Sequence, residues 1–287
     1  MADESTLASH NDTYYAAQIR VGIREALRPQ MVMRRLCDEV ICVGSNVYQV
    51  PIHADPGAAT AKTEATDRVN TAITTTSAQA TLATVGMMAS PTDELGAASL
   101  TPIVPAITTE LSNAVREKLE VDLTALLDDT TTAVSTSGVD ATVDTFISAL
   151  ATLVAADIPG PYVAVGSPVT STDIQRDMAA STSAIFGNPR WNPDNINATW
   201  NGFQFNLGGV DFYQTSAVPT ANAGADVVTG VFVPRHSFVL AVAPGWELPR
   251  IRTQRDESNN LLEIVATGRY GGVLVRNAEA VEMDTDA

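Results

Sequence analysis

Apolar residues in this chain return at two different spacings, and the spacing changes from stretch to stretch. From Pro105 to Asp128 the residues Ile107, Leu111, Val115, Leu119, Leu123 and Leu127 recur every fourth position, and Ala114 and Leu126 widen the stripe. Glu110, Glu117, Lys118, Glu120 and Asp122 fall largely outside it. The pattern predicts an amphipathic helix opened by Pro105 and roughly 35 Å long at 1.5 Å per residue. A second helix is predicted over Thr142–Ala156 with Phe146, Leu150 and Leu153 on its inner face. A third is predicted from Ser171 to Phe186, with Ser171 or Thr172 as cap and Asp173 in the first turn. Near the start, Ile19, Ile23 and Leu27 mark a short helix that stops before Pro29. It has too little apolar surface for a core of its own, so it lies on the body of its own chain or on a neighbour.

Other stretches read as strands. Tyr162–Val165, Val227–Val233 and Phe238–Val242 are apolar runs, and Phe203–Tyr213 is a hairpin around Gly208-Gly209. Val40–Ile52 reads as strand, turn and strand around Gly44-Ser45-Asn46. Between His53 and Ser90 alanine and threonine dominate, and Val69, Ile73, Leu82, Val85, Met87 and Met88 are the main hydrophobes. Such a segment buries too little to order itself. Alternating β-branched residues over Thr71–Val85 predict a two-stranded ribbon, a long arm supported by neighbours, with a disordered linker as the alternative. The chain closes on a long strand pair: Trp246–Arg255, a polar turn Asp256–Asn260, and Leu261–Tyr270. The doublet Gly271-Gly272 is expected to hinge into Val273–Asn277, a strand entering a second domain. Arg250, Arg252 and Arg255 on one arm and Glu263 on the other suit contact with copies of the same chain.

Composition narrows the functional classes. The 287 residues carry a formal charge of −16, a field that repels nucleic acid and argues against sequence-reading DNA binding. Only Lys62 and Lys118 are lysines; the other basic residues are arginines, whose forks hold carboxylates bidentately. An acid-rich, lysine-poor chain fits the high-salt cytoplasm of a halophilic host, and equally an ordinary acidic protein of a GC-rich genome. The one basic stretch, Thr13–Leu36, holds Arg20, Arg24, Arg28, Arg34 and Arg35 against Glu25. Cys37 and Cys42 match no disulfide, redox or zinc spacing and are expected as buried thiols. The acidic, polar start is unlike a signal peptide, and no apolar run approaches the ~18 residues of a membrane span.

Chemistry-bearing clusters are missing from the pattern. His10, His53 and His236 are far apart in sequence. His53-Ala54-Asp55 offers two ligands on one strand face without a third. Asp256, Glu257 and Glu263 could meet a cation, although a charged hairpin tip is the simpler reading. No phosphate loop or hydrolase motif is present, so neither a catalytic set nor a cofactor is expected.

The order of parts resembles the major capsid proteins of tailed phages, the Hong Kong 97 fold, an α+β architecture. The residues that carry the resemblance are Val40–Ile52 with the loop to Ser90, the helix Pro105–Asp128, Pro161–Pro168, the hairpin region Gly202–Pro219, and Trp246–Glu282 with its Tyr-Gly-Gly-Val and Arg276–Val281 ending. It implies an N-terminal arm (1–39), a strand and extended loop (40–92), and a peripheral domain with a spine helix (93–160). An axial domain (161–243), the peripheral hairpin (244–272), and a final axial strand and tail (273–287) complete the order. It further implies a structural protein of the virion, assembled in the host cytoplasm as hexamers and pentamers around double-stranded DNA without reading its sequence. Portal, separate scaffolding and decoration proteins would be partners, and no membrane would be involved. Arg20, Arg24, Arg28, Arg34, Arg35, Lys62, Arg250, Arg252, Arg255 and Glu263 are the expected inter-subunit contacts. Some relatives cross-link a loop lysine to a neighbour's asparagine; Lys62 is expected to be solvated instead. An encapsulin-type cargo shell and a cytosolic enzyme with an unrecognised site are the alternatives.

Overall fold

One strand organises the first half of the architecture in the computed structural model, which describes residues 28–29, 31–59, 61, 64, 71–98, 103–134, 138–180, 203–246 and 249–286. This strand, β12 (Leu261–Leu274), pairs antiparallel with β11 (Arg250–Asp256) and β4 (Ala83–Ala89) over its first part. Over its last part it pairs with β10 (Phe238–Val242), and β10 in turn holds β1 (Asp38–Ile41) in parallel register. Ile264–Thr267 bond both β11 and β4, so those two strands take opposite edges of β12.

The helix predicted from the fourfold stripe, α3 (Ile103–Ala125), lies across this sheet. It begins two residues before Pro105, which is tolerated because first-turn amides have no intrahelical acceptor. Leu111 and Val115 pack on Ile264 and Ala266. Glu120 departs from the expectation that the acids face away from the stripe: it is buried at 1 % exposure.

A second sheet runs in the order β13 (Ala280–Asp286), β9 (Asp226–Phe232), β5 (Tyr162–Gly166), β7 (Val210–Gln214), β6 (Phe203–Leu207), with β8 (Thr220–Ala221) added to β9. The hairpin β6–β7 turns at Gly208 and Gly209, both at positive φ. On this sheet lies α4 (Val143–Ala155), whose Thr142 cap exchanges hydrogen bonds with Thr145 in a capping box. Its Phe146, Ala149 and Leu153 pack against Phe212, Val231 and Met283. The next helix, α5 (Pro168–Ala180), starts earlier than the expected Ser171. Ser167 Oγ accepts from Thr170 N at 3.0 Å, and Pro168 takes the first helical position, so the cap and the proline together set the start.

The end of α3 joins the two sheets. Leu123 and Leu127 share one buried cluster with Phe238, Leu240 and Val242 of the first sheet and Val163, Val165 and Phe232 of the second. Val32, Met33 and Leu36, around the one-turn helix α1 (Met33–Leu36), complete it. Continuous packing of this kind makes the sheets one mechanical unit.

Three expectations about extended segments are corrected. The strands flanking Gly44 do not pair with each other: β1 belongs to the first sheet, while β2 (Val47–His53) pairs with β3 (Thr75–Thr81). The ribbon is therefore β2–β3, and the sequence after it returns to the sheet as β4 instead of closing Thr71–Val85 on itself. Gly271-Gly272 is not a hinge, because β12 continues through both. A Cβ on Gly271 would stand 2.3 Å from the carbonyl oxygen of Thr81, and one on Gly272 2.8 Å from Leu126 Cδ1. The glycines admit the ribbon base on one side and α3 on the other. The last strand of the second sheet starts at Ala280, after Asn277–Glu279, and not at Val273.

Candidate assembly interface

A line of carboxylates on α3 receives the incoming chain. Arg28 bonds Glu110 at 2.7 Å and also pairs with Glu117. Glu120 Oε1 accepts from the amides of Val32 at 2.7 Å and Met33 at 2.9 Å, capping α1. Burial pushes this carboxyl up, and the amides and the charge of Arg35 draw it back down. Its Oε2 has no protein partner. No periodicity rule finds such a residue, since its partners are backbone amides far away in sequence. Arg34 grips Glu39 with two bonds, 3.1 and 2.7 Å, and Arg35 is exposed. Arg20, Arg24 and Lys62 lie outside the described residues.

The β11–β12 hairpin holds the other predicted contacts. Arg250 stacks over Trp246 at 5.0 Å. Arg255 makes a fork with Asp93 at 3.1 and 2.5 Å and reaches Glu257 at 2.7 Å. Arg252 is exposed and forms no ion pair among the described residues, and Glu263 is half-buried opposite Gln254. Nearly every residue of β11 is exposed, so neither face of this strand is covered. At the tip, Asp256 accepts from Ser258 and Asn259, which holds its carboxyl below the ordinary range.

One face of the ribbon β2–β3 is exposed almost throughout, and the other is half-covered at Tyr48, Val50, Ile52 and Ala78 and buried at Ala80. His53, considered as a ligand, bonds Thr75 Oγ1 at 3.1 Å and is exposed. Among the described residues no group of three His, Cys, Asp or Glu could hold a metal ion, and no helix is long and apolar enough to cross a membrane. Cys37 and Cys42 are buried free thiols, and burial pushes Cys37 up.

Two clusters that sequence reading missed lie where the chain passes between the sheets. His236 Nδ1 is 2.8 Å from Glu279 Oε2, Arg276 approaches the other oxygen at 3.4 Å, and Ser237 Oγ donates to Glu279 O at 2.9 Å. Glu282 accepts from Thr130 Oγ1 at 3.0 Å, and burial with Asp284 and Asp128 nearby pushes its carboxyl up to about 7. These groups tie chain segments together, and they present no nucleophile–base pair.

Two sheets joined through a long helix, with the ribbon β2–β3 outside both and β11 as an exposed edge, give the α+β architecture of the Hong Kong 97 type. The family model described as "Phage capsid family" matches residues 15–284. The chain therefore belongs to the phage capsid family and is a structural, shell-forming capsid protein of the virion.

The solved structures agree in fold. The capsid of the cyanophage P-SCSP1u is 12% identical with a TM-score of 0.73, over 94% of this chain and 92% of that one. The capsid of a native GTA particle is 14% identical with a TM-score of 0.72 over the whole of both chains. A holo-encapsulin complex from Synechococcus elongatus is 14% identical with a TM-score of 0.65, covering 98% and 95%. No curated protein matches the sequence.

Proposed function

We propose that this chain assembles through hexamers and pentamers into an icosahedral shell around double-stranded DNA. The observation that carries the reading is the ribbon β2–β3, seven paired residues per strand with one face exposed and the other, apart from Ala80, at most half-covered by its own chain. Isolated two-stranded ribbons are marginal in water. This one gains its missing contacts from a neighbouring copy. The exposed β11 strand, with Arg250 and Arg252, is a second contact surface toward acidic neighbours. Arg28, Arg34 and Arg255 already have carboxylate partners in their own chain and serve mainly to fix it.

The formal charge of −16 suits a wall that repels packaged DNA and lets it slide. Assembly in the host cytoplasm, a portal, a separate scaffolding protein and a decoration protein fit the same reading. An encapsulin-type shell is the second reading, favoured by the likeness to the encapsulin complex. The test is light scattering of the full chain beside a variant with residues 50–78 replaced by Asn-Gly, which keeps only the pairs from Val47↔Thr81 to Gln49↔Gln79. The wild type should form discrete rings or shells, and the shortened ribbon should give monomers. Equal assembly by both would remove the ribbon from the account.

A further inference from the structure

The first sheet is open at β11. This strand ends the order β1-β10-β12-β11 and pairs with β12 in unbroken register over seven residues. It has no second strand or other backbone partner among the described residues. An exposed edge of this length is a template for another strand, and proteins that keep such an edge free shorten it, bulge it, charge it or place proline in it. Between Arg250 and Asp256 there is neither a bulge nor a proline, so charge is the one device present. Its arrangement is uneven. Arg250, Arg252, Gln254 and Asp256 share one face of the strand, with the cations at one end and the anion at the other. Neither Arg250 nor Arg252 forms an ion pair among the described residues. Ser258 and Asn259 hold the Asp256 carboxyl below its ordinary range, so it stays ionised.

A strand charged in this way complements a reversed copy of itself. In an antiparallel pair related by a two-fold axis, the residue on the axis faces itself and the others pair in reverse order. With Thr253 on the axis all seven residues pair: Arg250 faces Asp256, Ile251 faces Arg255 and Arg252 faces Gln254. No like charges meet. An axis at Arg252 would set that cation against itself, and an axis at Gln254 would leave Arg250 and Ile251 beyond the strand. We propose that β11 pairs edge to edge with β11 of a second copy about a two-fold axis through Thr253, so that Arg250 of each copy meets Asp256 of the other. Two sheets then become one. Ile251, exposed in the single chain, gains the stem of Arg255, whose charge Asp93 and Glu257 already answer. Such a pair is the acidic contact of β11 between copies in the shell, and it rests on the shell reading.

Oxidation of full-length Thr253→Cys, read on a non-reducing gel beside electron microscopy of the same sample, tests it. The native thiols are buried, and the wild type controls for them. Facing Cβ atoms of an antiparallel pair stand about 4.5–5.5 Å apart, within reach of a disulfide. A covalent dimer is therefore expected, at least tenfold above the yield of Arg252→Cys or Gln254→Cys alone. Mixing Arg252→Cys chains with Gln254→Cys chains should recover the dimer, because those two positions face each other. Equal yields from the three single variants, or no dimer from Thr253→Cys with unchanged circular dichroism, would overturn the pairing. Thr253→Cys/Arg250→Glu sets carboxylates against each other at both ends and should lower the yield at least tenfold, whereas Thr253→Cys/Arg250→Lys should keep it. An unchanged yield with Glu would overturn the pairing too. Shells without the dimer would sink the pairing alone, and the dimer without shells would sink the shell reading and leave the pairing standing.

Discussion

Removing the carboxylate of Glu120 should separate its role as an acceptor from its charge. Glu120→Ala leaves the amides of Val32 and Met33 without their 2.7 and 2.9 Å acceptor in a site of 1 % exposure. A buried donor without a partner costs about 1–3 kcal/mol. Two donors are affected, and the wild type already bears the cost of a buried charge whose Oε2 has no protein partner. The net loss is therefore about 2–4 kcal/mol, below the sum of the two donor penalties. For a chain of this size each kcal/mol moves Tm by about 2–4 °C, so the midpoint should fall by about 5–15 °C. Glu120→Gln keeps an acceptor for both amides and removes the charge, so it should stay within about 1 kcal/mol of wild type. Scanning calorimetry and urea titration of the unassembled subunit measure both variants. If Ala and Gln are equally damaging, the charge matters and not the acceptor. If Ala is harmless, α1 is not held by this contact.

Further outcomes follow from other sites. Gly271→Ala places a Cβ 2.3 Å from the Thr81 carbonyl oxygen and has no flexible side chain to displace, so it should yield markedly less folded subunit, measured by soluble yield and circular dichroism. Glu282 is raised to about 7 from an ordinary 4.5, so the folded state holds its proton more tightly than the unfolded state. Its contribution is fully present below pH 4.5 and is lost as pH rises through about 7. Urea midpoints should fall across that window, and Glu282→Gln should flatten the fall; an unchanged slope would refute this. If the acid-rich composition reflects a halophilic host, shells should dissociate or aggregate at low ionic strength, and light scattering indifferent to salt would rule that origin out.

Sequence pattern made α3 legible because six apolar residues at spacing four are hard to produce any other way. It made Glu120 illegible, since a carboxylate one residue beyond Leu119 looks like a surface position until Val32 and Met33 arrive above it. Strand existence was equally readable for Phe238–Val242, which the structure gives with the same bounds. Pairing was not, because β1 finds β10 across two hundred residues of chain, and local turn residues around Gly44 suggested the nearer strand. Gly271-Gly272 signalled a special backbone correctly, but a bend and a close approach leave the same trace in one sequence. His236 and Glu279 likewise meet only because the two passages between the sheets are adjacent. The capsid resemblance itself was carried by the order of elements, which survives where identity to solved structures is only 12–14%.

The most direct test of the central claim is electron microscopy of the purified full chain, paired with an assay for nuclease-protected DNA in particles recovered from the host. Closed shells built of five- and six-membered rings, filled with protected double-stranded DNA, are the predicted result. Closed shells holding a protein cargo and no DNA would move the chain to the encapsulin reading, and a monomer that forms no ring even with its native partners present would contradict the account.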